Sequence, residues 1–392
     1  MKYHYEAVPV LFNILLFFLM LYPFPNVYRY GCEFRKRYTD ILDYAVYGVL
    51  LILFCTFGYA DNDFYHYEGL FKRICSTGLN VHLEPVYYWL IRNVTSNYLV
   101  WRFIVWSGTV ILSLWTIKRL KLDVRIGLLI FVLFYINIIS VMRGNLGIAI
   151  LFFGFSFIIR PSHNRLLSFL FGCLLIFCSF FFHKSMLFSI AALSVTPFYL
   201  NRKTVKISLV IFPFLTVVTT LLLDYIIMNG LIGFDIADMN IGSSMTGYAS
   251  GTMRQSNIFG KLNQMITYMP VYASLALMTK KIVFEEIDVP RYIKALFIYW
   301  YAITYIASLF FFQETSVWLF IRFIMMSYFP LCIVVGYYYS NFKMTREKRI
   351  LMLLAILPIC YKLFYAFYKR LVWEGLRLFL TCFVSLHVLG SQ

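Results

Sequence analysis

The sequence predicts an all-α fold, a polytopic integral membrane helical bundle of about 12–13 transmembrane helices, and three observations carry that reading. Of the 392 residues, 61% are hydrophobic and 14% charged, whereas an ordinary soluble domain carries roughly a quarter charged residues. Apolar runs of about 20 residues, long enough to cross about 30 Å of hydrocarbon, recur from one end of the chain to the other. Each run is unbroken and lacks the alternation of a barrel strand, so its backbone hydrogen bonds have to close within the segment, as they do in a helix. No connection is long enough for a soluble domain, and residues 1–392 read as a single membrane domain.

Taken in order, the spans fall near 8–25, 42–59, 98–117, 126–142, 144–159, 166–182, 185–200, 207–228, 262–279, 295–312, 317–339, 350–367 and 371–389. The first, "VPVLFNILLFFLMLYPFP", has no small-residue cleavage site and runs into the bulky "NVYRY", which predicts a retained span rather than a signal peptide. The last two enclose "YKLFYAFYKRLVWEGLRLF", whose four basic residues fit an interfacial or re-entrant segment as well as a span. The eight cysteines contain no Cys-x-x-Cys pair and mostly lie inside apolar runs, where thiols act as small hydrophobes. That usage predicts neither a disulfide framework nor a zinc site.

The formal charge of +17 comes in short clusters between apolar runs rather than on one basic face, so it reports topology and not a nucleic-acid partner. Six alternate connections, "RYGCEFRKRY", "KRLKLDVR", "RPSHNR", "NRKTVK", "KKIVFEEIDVPRYIK" and "KMTREKR", hold 21 of the 35 Lys and Arg residues. The positive-inside rule makes these cytoplasmic. The outward set then contains the junctions at Arg143 and His183, "QETS", and the two longest connections, near 60–97 and 229–261. Long polar loops between packed helices usually carry function. No internal repeat of the kind that marks many secondary transporters is present.

Several residues on that side can carry chemistry. Arg143 opens "RGNLGIAILFFG", where Gly147 and Gly154 follow at i+4 and i+11 on one helical face. Small residues let helices approach, so this face points into the protein and takes the arginine with it; the competing reading is an arginine snorkelling to headgroups. Arg322, in "SVWLFIRFIMMSYFP", lies inside a span, where a charge faces a partner, such as Glu314, or a wet cavity. Arg102 is either another such pair or sits near a span end. His183 and Lys184 follow Phe182 at an outward span end, and an imidazole with an ordinary pKa near 6.5 suits proton transfer.

In the first outer loop, Asp61 and Asp63 form an Asp-x-Asp pair of the kind that can hold a divalent cation, although His66 stands where an EF-hand needs glycine. Glu84 before Pro85 places an acidic residue at the cap and proline at the first helical position, which predicts a short helix on or dipping into the membrane. The second outer loop, "GSSMTGYASGTMRQS", has Arg254 as its strong cation and reads as a lid or a solvated loop. Cations near carboxylates, a histidine and tyrosines suit a substrate with a phosphate end and a sugar end. Arginine grips phosphate oxygens bidentately and stabilises a departing diphosphate, and a histidine or carboxylate can take the proton of an attacking hydroxyl.

The series Asp61 or Asp63, Tyr67, Glu84, Pro85 and Tyr87, then "VMRGNLGIA", then "FFHKSMLF", then "IRFIMMSYF", resembles the EpsG family of Wzy-like polysaccharide polymerases over roughly residues 60 to 330. The sequence departs where the family commonly has Gln after the first arginine and a small residue after His-Lys-Ser; Gly144 and Met186 stand there. The resemblance implies a GT-C-like polymerase architecture in the bacterial inner membrane. It implies joining of undecaprenyl-diphosphate-linked oligosaccharide repeat units at the outer face, for O-antigen, capsule or exopolysaccharide. The partners would be the lipid-linked donor and acceptor, membrane lipid and a chain-length regulator protein. The matching positions make Arg143, His183 and Arg322 the catalytic candidates, with Lys184, Asp61, Asp63, Glu84, Tyr67 and Arg254 binding substrate.

Two other classes fit the same composition. A flippase or transporter of the lipid-linked oligosaccharide needs charged residues along a path to both faces, and an O-antigen ligase passes finished polymer to a lipid A-core acceptor. Because arginine and lysine can neutralise the leaving diphosphate, no cofactor or obligatory metal is expected. EDTA should therefore leave the activity of the purified protein unchanged; loss on chelation, restored by magnesium or manganese, is the opposing result.

Overall fold

The computed structural model describes residues 41–57, 62–78, 83–120, 122, 142–161, 164–195, 235–236, 239–240, 258–311, 317–342 and 345–350, with isolated positions between 203 and 218. The expected spans near 8–25 and 371–389 lie outside the described residues, as do nearly all of those near 126–142, 207–228 and 350–367. Among the described residues the regular structure is helical apart from a two-residue antiparallel ladder between β1 (Asp235–Ile236) and β2 (Met239–Asn240). In order, its helices are α1 (Ile41–Phe57), α2 (Asn62–Thr77), α3 (Pro85–Val94), α4 (Tyr98–Arg119) and α5 (Met142–Ile159). They continue with α6 (Arg165–Phe182), α7 (Met186–Val195), α8 (Ile258–Thr279), α9 (Arg291–Phe311) and α10 (Val317–Asn341). Among the described residues α4, α5 and α6 are long and apolar enough to cross a membrane, and their bounds lie within two residues of the expected ones.

Local chemistry sets where these helices begin and end. Asn97 caps α4, its side-chain oxygen accepting from the N–H groups of Leu99 (3.0 Å) and Val100 (3.3 Å). Asn164 caps α6 in the same way, accepting from Leu167 N–H at 3.0 Å. Gly78 stops α2 in the left-handed region (φ 65°), which glycine enters without steric penalty, and its N–H reaches Ile74 O at 3.0 Å. The connection near 60–97, expected to hold one short helix, therefore holds two, α2 and α3.

Helices α5 and α6 make one close-packed pair, and α9 and α10 another. At the first crossing Gly154 and Gly172 face each other: a Cβ on either would lie 2.8 Å from the other's carbonyl oxygen. Aromatic rings join the pairs, with Phe152 of α5 stacked on Phe329 of α10 (centroids 4.9 Å apart) and edge-on to Tyr299 of α9 (5.2 Å). Buried hydroxyls on α4 donate back into their own helix, Thr109 to Val105 O, Ser113 to Thr109 O and Thr116 to Leu112 O. These three hydroxyls therefore need no water inside an apolar layer. Helix α6 turns Leu166, Leu167, Phe169, Leu170, Leu174 and Phe177 outward, a continuous apolar surface suited to lipid and not to water.

Three buried or half-buried cations close helix C-termini from another segment. Arg102, 2% exposed, donates from Nε to Thr56 O (3.0 Å) and from Nη2 to Cys55 O (2.8 Å), in the last turn of α1. Arg119 donates to Arg160 O at 2.8 Å beyond the end of α5, and Lys348 to Tyr338 O (3.0 Å) and Phe342 O (2.7 Å) at the end of α10. The last carbonyls of a helix carry the negative end of its dipole and have acceptor capacity to spare. Arg102 is thus a structural cap.

Gly154→Leu has no room to relax, because the atom in the way is backbone. It is expected to destabilise the purified protein by about 1–3 kcal/mol, the usual range for overpacking, read as a lower thermal midpoint in detergent; an unchanged midpoint is the contrary result.

Candidate functional site

The site forms where the N-terminus of α5 meets the turn between α6 and α7 and the start of α3. Pro85 begins α3 and Glu84 occupies its N-cap position, as expected, but the carboxylate makes no capping bond. It turns the other way. Glu84 Oε2 accepts from Arg143 Nη1 at 2.6 Å, and Oε1 accepts from the main-chain N–H of Lys184 at 3.1 Å. Arg143 Nε reaches Tyr67 Oη at 3.4 Å, and its guanidinium carbon lies 5.7 Å from the Tyr67 ring centroid.

Arg143 is thus held against protein, with 13% of its side chain open while Glu84 keeps 1%. The snorkelling reading does not hold. Gly147 explains how the helices come so close, since a Cβ there would meet Met186 Cγ at 3.2 Å and His183 Cβ at 3.4 Å. The glycine face of α5 therefore abuts the His183 turn.

Burial alone would raise the pKa of Glu84, which precedes α3 outside the spanning helices. Arg143, then His183, then the backbone N–H groups of Glu84 and Lys184 outweigh that and hold the carboxyl below its ordinary range. Removing one partner of such a pair costs about 3–5 kcal/mol, because the other charge stays buried without compensation.

The His183 backbone is pinned on both sides: its N–H donates to Ser179 O (3.2 Å) and its carbonyl accepts from Met186 N–H (2.9 Å). His183 lines a small cavity with Gly144, Ile148, Ser185, Met186, Met325 and Met326. Ser185 N–H donates to His183 Nδ1 at 3.3 Å, and the Ser185 hydroxyl also contacts Nδ1. Behind the cavity, Tyr299 Oη donates to Ser189 Oγ (2.9 Å), which donates to Met326 Sδ (2.9 Å), tying α7 to α9 and α10.

Of the expected residues, the structure brings together Arg143, Glu84, Tyr67, His183 and Lys184, the last through its main chain. Arg322 lies in the second turn of α10, three and four residues before Met325 and Met326, and Asp63 lies in the first turn of α2; for these two only the helical backbone is described. Asp61 and Arg254 lie outside the described residues. Ser185 was missed, although a hydroxyl two residues after a turn histidine is the signal for it. The two methionines were missed because a Met pair reads as core filling.

The model of the EpsG family matches residues 40–378, which covers every residue of this cluster. The chain belongs to the EpsG family. That family is one of Wzy-like polymerases. No curated protein and no solved structure matches the chain. As an EpsG protein with apolar spanning helices, it is a membrane protein of polysaccharide biosynthesis.

A carboxyl whose folded pKa lies below its unfolded value contributes stability that is complete above the unfolded value and is lost as pH falls through the folded one. For Glu84 the unfolded value is about 4.5 and the folded value lies lower. The thermal midpoint in detergent is therefore expected to fall on acidification below about pH 4.5, and the drop to shrink in Glu84→Gln, which starts from a lower midpoint at neutral pH. An undiminished acid drop in Glu84→Gln overturns this account of the pair.

Proposed function

We propose that this chain is a glycosyltransferase that polymerises undecaprenyl-diphosphate-linked oligosaccharide repeat units at the outer face of the bacterial inner membrane, supplying O-antigen, capsule or exopolysaccharide. The observation that carries the reading is a mostly buried arginine, Arg143, paired with Glu84 and seated beside His183, in a chain of the EpsG family. An apolar setting strengthens the field of the guanidinium on a departing diphosphate. The attacking hydroxyl of one unit displaces the diphosphate from the anomeric carbon of the other, and the bond's electron pair leaves with the phosphate oxygen. Arg143 receives that charge, with Arg322 and the side chain of Lys184 assisting, and the hydroxyl proton passes to His183 or Glu84.

Two features favour a site at one end of the bundle over a path through it. Arg143, His183 and Lys184 gather where α5 starts and α6 ends, whereas at the opposite ends the Arg119 side chain is committed to the main-chain carbonyl of Arg160. A flippase would need charged groups between those ends. The donor and acceptor chains would stay in the lipid against which α6 exposes its apolar face.

Arg143→Ala, His183→Ala and Arg322→Ala, each compared at equal expression, test the assignment through the length ladder of the surface glycan. Loss of a diphosphate contact made in the transition state typically costs about 100- to 1,000-fold, so each ladder is expected to collapse to single repeat units. Deleting the gene should likewise leave single units displayed. Absence of all units points to a flippase, and full-length polymer detached from its acceptor points to a ligase.

A further inference from the structure

The contacts of His183 decide something about its chemistry that the residue type leaves open. A main-chain N–H can only donate, so the atom it points at must present a lone pair. Ser185 N–H points at His183 Nδ1 at 3.3 Å, and the Ser185 hydroxyl, which can rotate its proton, lies against the same nitrogen. An imidazole nitrogen has a lone pair to offer only when it carries no proton. In the neutral ring the proton must then sit on the other nitrogen, Nε2.

The surroundings keep the ring in that arrangement. His183 is 3% exposed, its backbone is fixed by Ser179 and Met186, and Gly147 closes against its Cβ. Flipping the ring would turn carbon toward the Ser185 N–H and leave that donor without its acceptor in a buried turn, at the cost of a lost hydrogen bond. The charged groups at the turn are Lys184 within it and Glu84 and Arg143 beside it, the last two paired with each other.

We propose that Ser185 is a positioning residue that locks neutral His183 as the Nε2–H tautomer, so that the imidazole enters the reaction as a hydrogen-bond donor and not as the base. The catalytic half of this rests on the polymerase reading above; the tautomer itself does not. In the transfer step, the acceptor oxygen bonds to the anomeric carbon as the bond from that carbon to the diphosphate oxygen breaks and its electron pair leaves on phosphate. The Nε2–H joins Arg143 in stabilising that oxygen. The hydroxyl proton goes to a carboxylate, and Glu84 is the ionised one within the described cluster.

The tautomer can be read directly. With six histidines in the chain, ¹⁵N-histidine labelling in nanodiscs, assigned by His183→Gln, resolves the long-range proton couplings of His183. Wild type is expected to show an unprotonated Nδ1 and a protonated Nε2, with an Nδ1–H form appearing in Ser185→Asp, whose carboxylate would draw the proton across. A wild-type His183 protonated on Nδ1 overturns the proposal whether or not the protein polymerises anything. In the glycan ladder, His183→Gln keeps a donor near the Nε2 position and removes any base, so it should retain about tenfold or more activity over His183→Ala. Equal loss in both variants, with a normal Nε2–H signal in wild type, leaves the tautomer standing and overturns the donor role. Activity absent from wild type in a reconstituted assay, with that same signal, sinks the polymerase reading alone.

Discussion

The buried ion pair between Arg143 and Glu84 is the constraint on which the site depends. Two charges withdrawn from water in an apolar bundle are tolerable only when they meet at short range and their remaining hydrogen-bonding capacity is filled. The 2.6 Å contact meets the first condition, and Tyr67 and the Lys184 N–H contribute to the second. One interaction therefore joins α2, the start of α3, the start of α5 and the turn between α6 and α7. It also gives the arginine a resident counter-ion, which keeps an otherwise costly charge in place.

Basic side chains in this chain do two different things with the same chemistry. Arg102, Arg119 and Lys348 reach across to carbonyls at helix C-termini, so their charge is spent on holding helix ends together. Arg143 meets a carboxylate at a helix N-terminus, where the dipole gives a cation no help. A cation kept where the helix itself disfavours it fits the anionic leaving group proposed above.

Close approach of the helices depends on glycine rather than on large apolar residues. Gly154 and Gly172 bring α5 and α6 into backbone contact, and Gly147, two turns from Gly154, opens the gap that the His183 turn fills. The same face that makes the bundle tight thus sets the distance between Arg143 and His183. Packing and function share one row of small residues, because only there can a turn carrying an imidazole come against the end of a spanning helix.

Composition and periodicity by themselves determined that the chain is a helical membrane protein, where α4, α5 and α6 run, and that Arg143, Glu84 and His183 belong to one end of it, because each of these follows from local hydropathy, charge alternation and a glycine period. What Glu84 does was not legible. Its place before Pro85 reads as a helix cap, and only the fold, bringing residue 143 and the turn at 184 against residue 84, turned its carboxylate away from its own helix. The sequence offers Lys184 for its side chain, whereas the fold uses its main-chain N–H, and Arg102, which the sequence reads as a pair or a span boundary, caps α1. Local sequence fixes which groups are present, but a hydrogen bond between residues 59 or 100 positions apart depends on the approach of whole helices, and that is decided by packing. The proton on His183 is the sharpest case: the residue type permits either nitrogen, and the turn that carries Ser185 selects one.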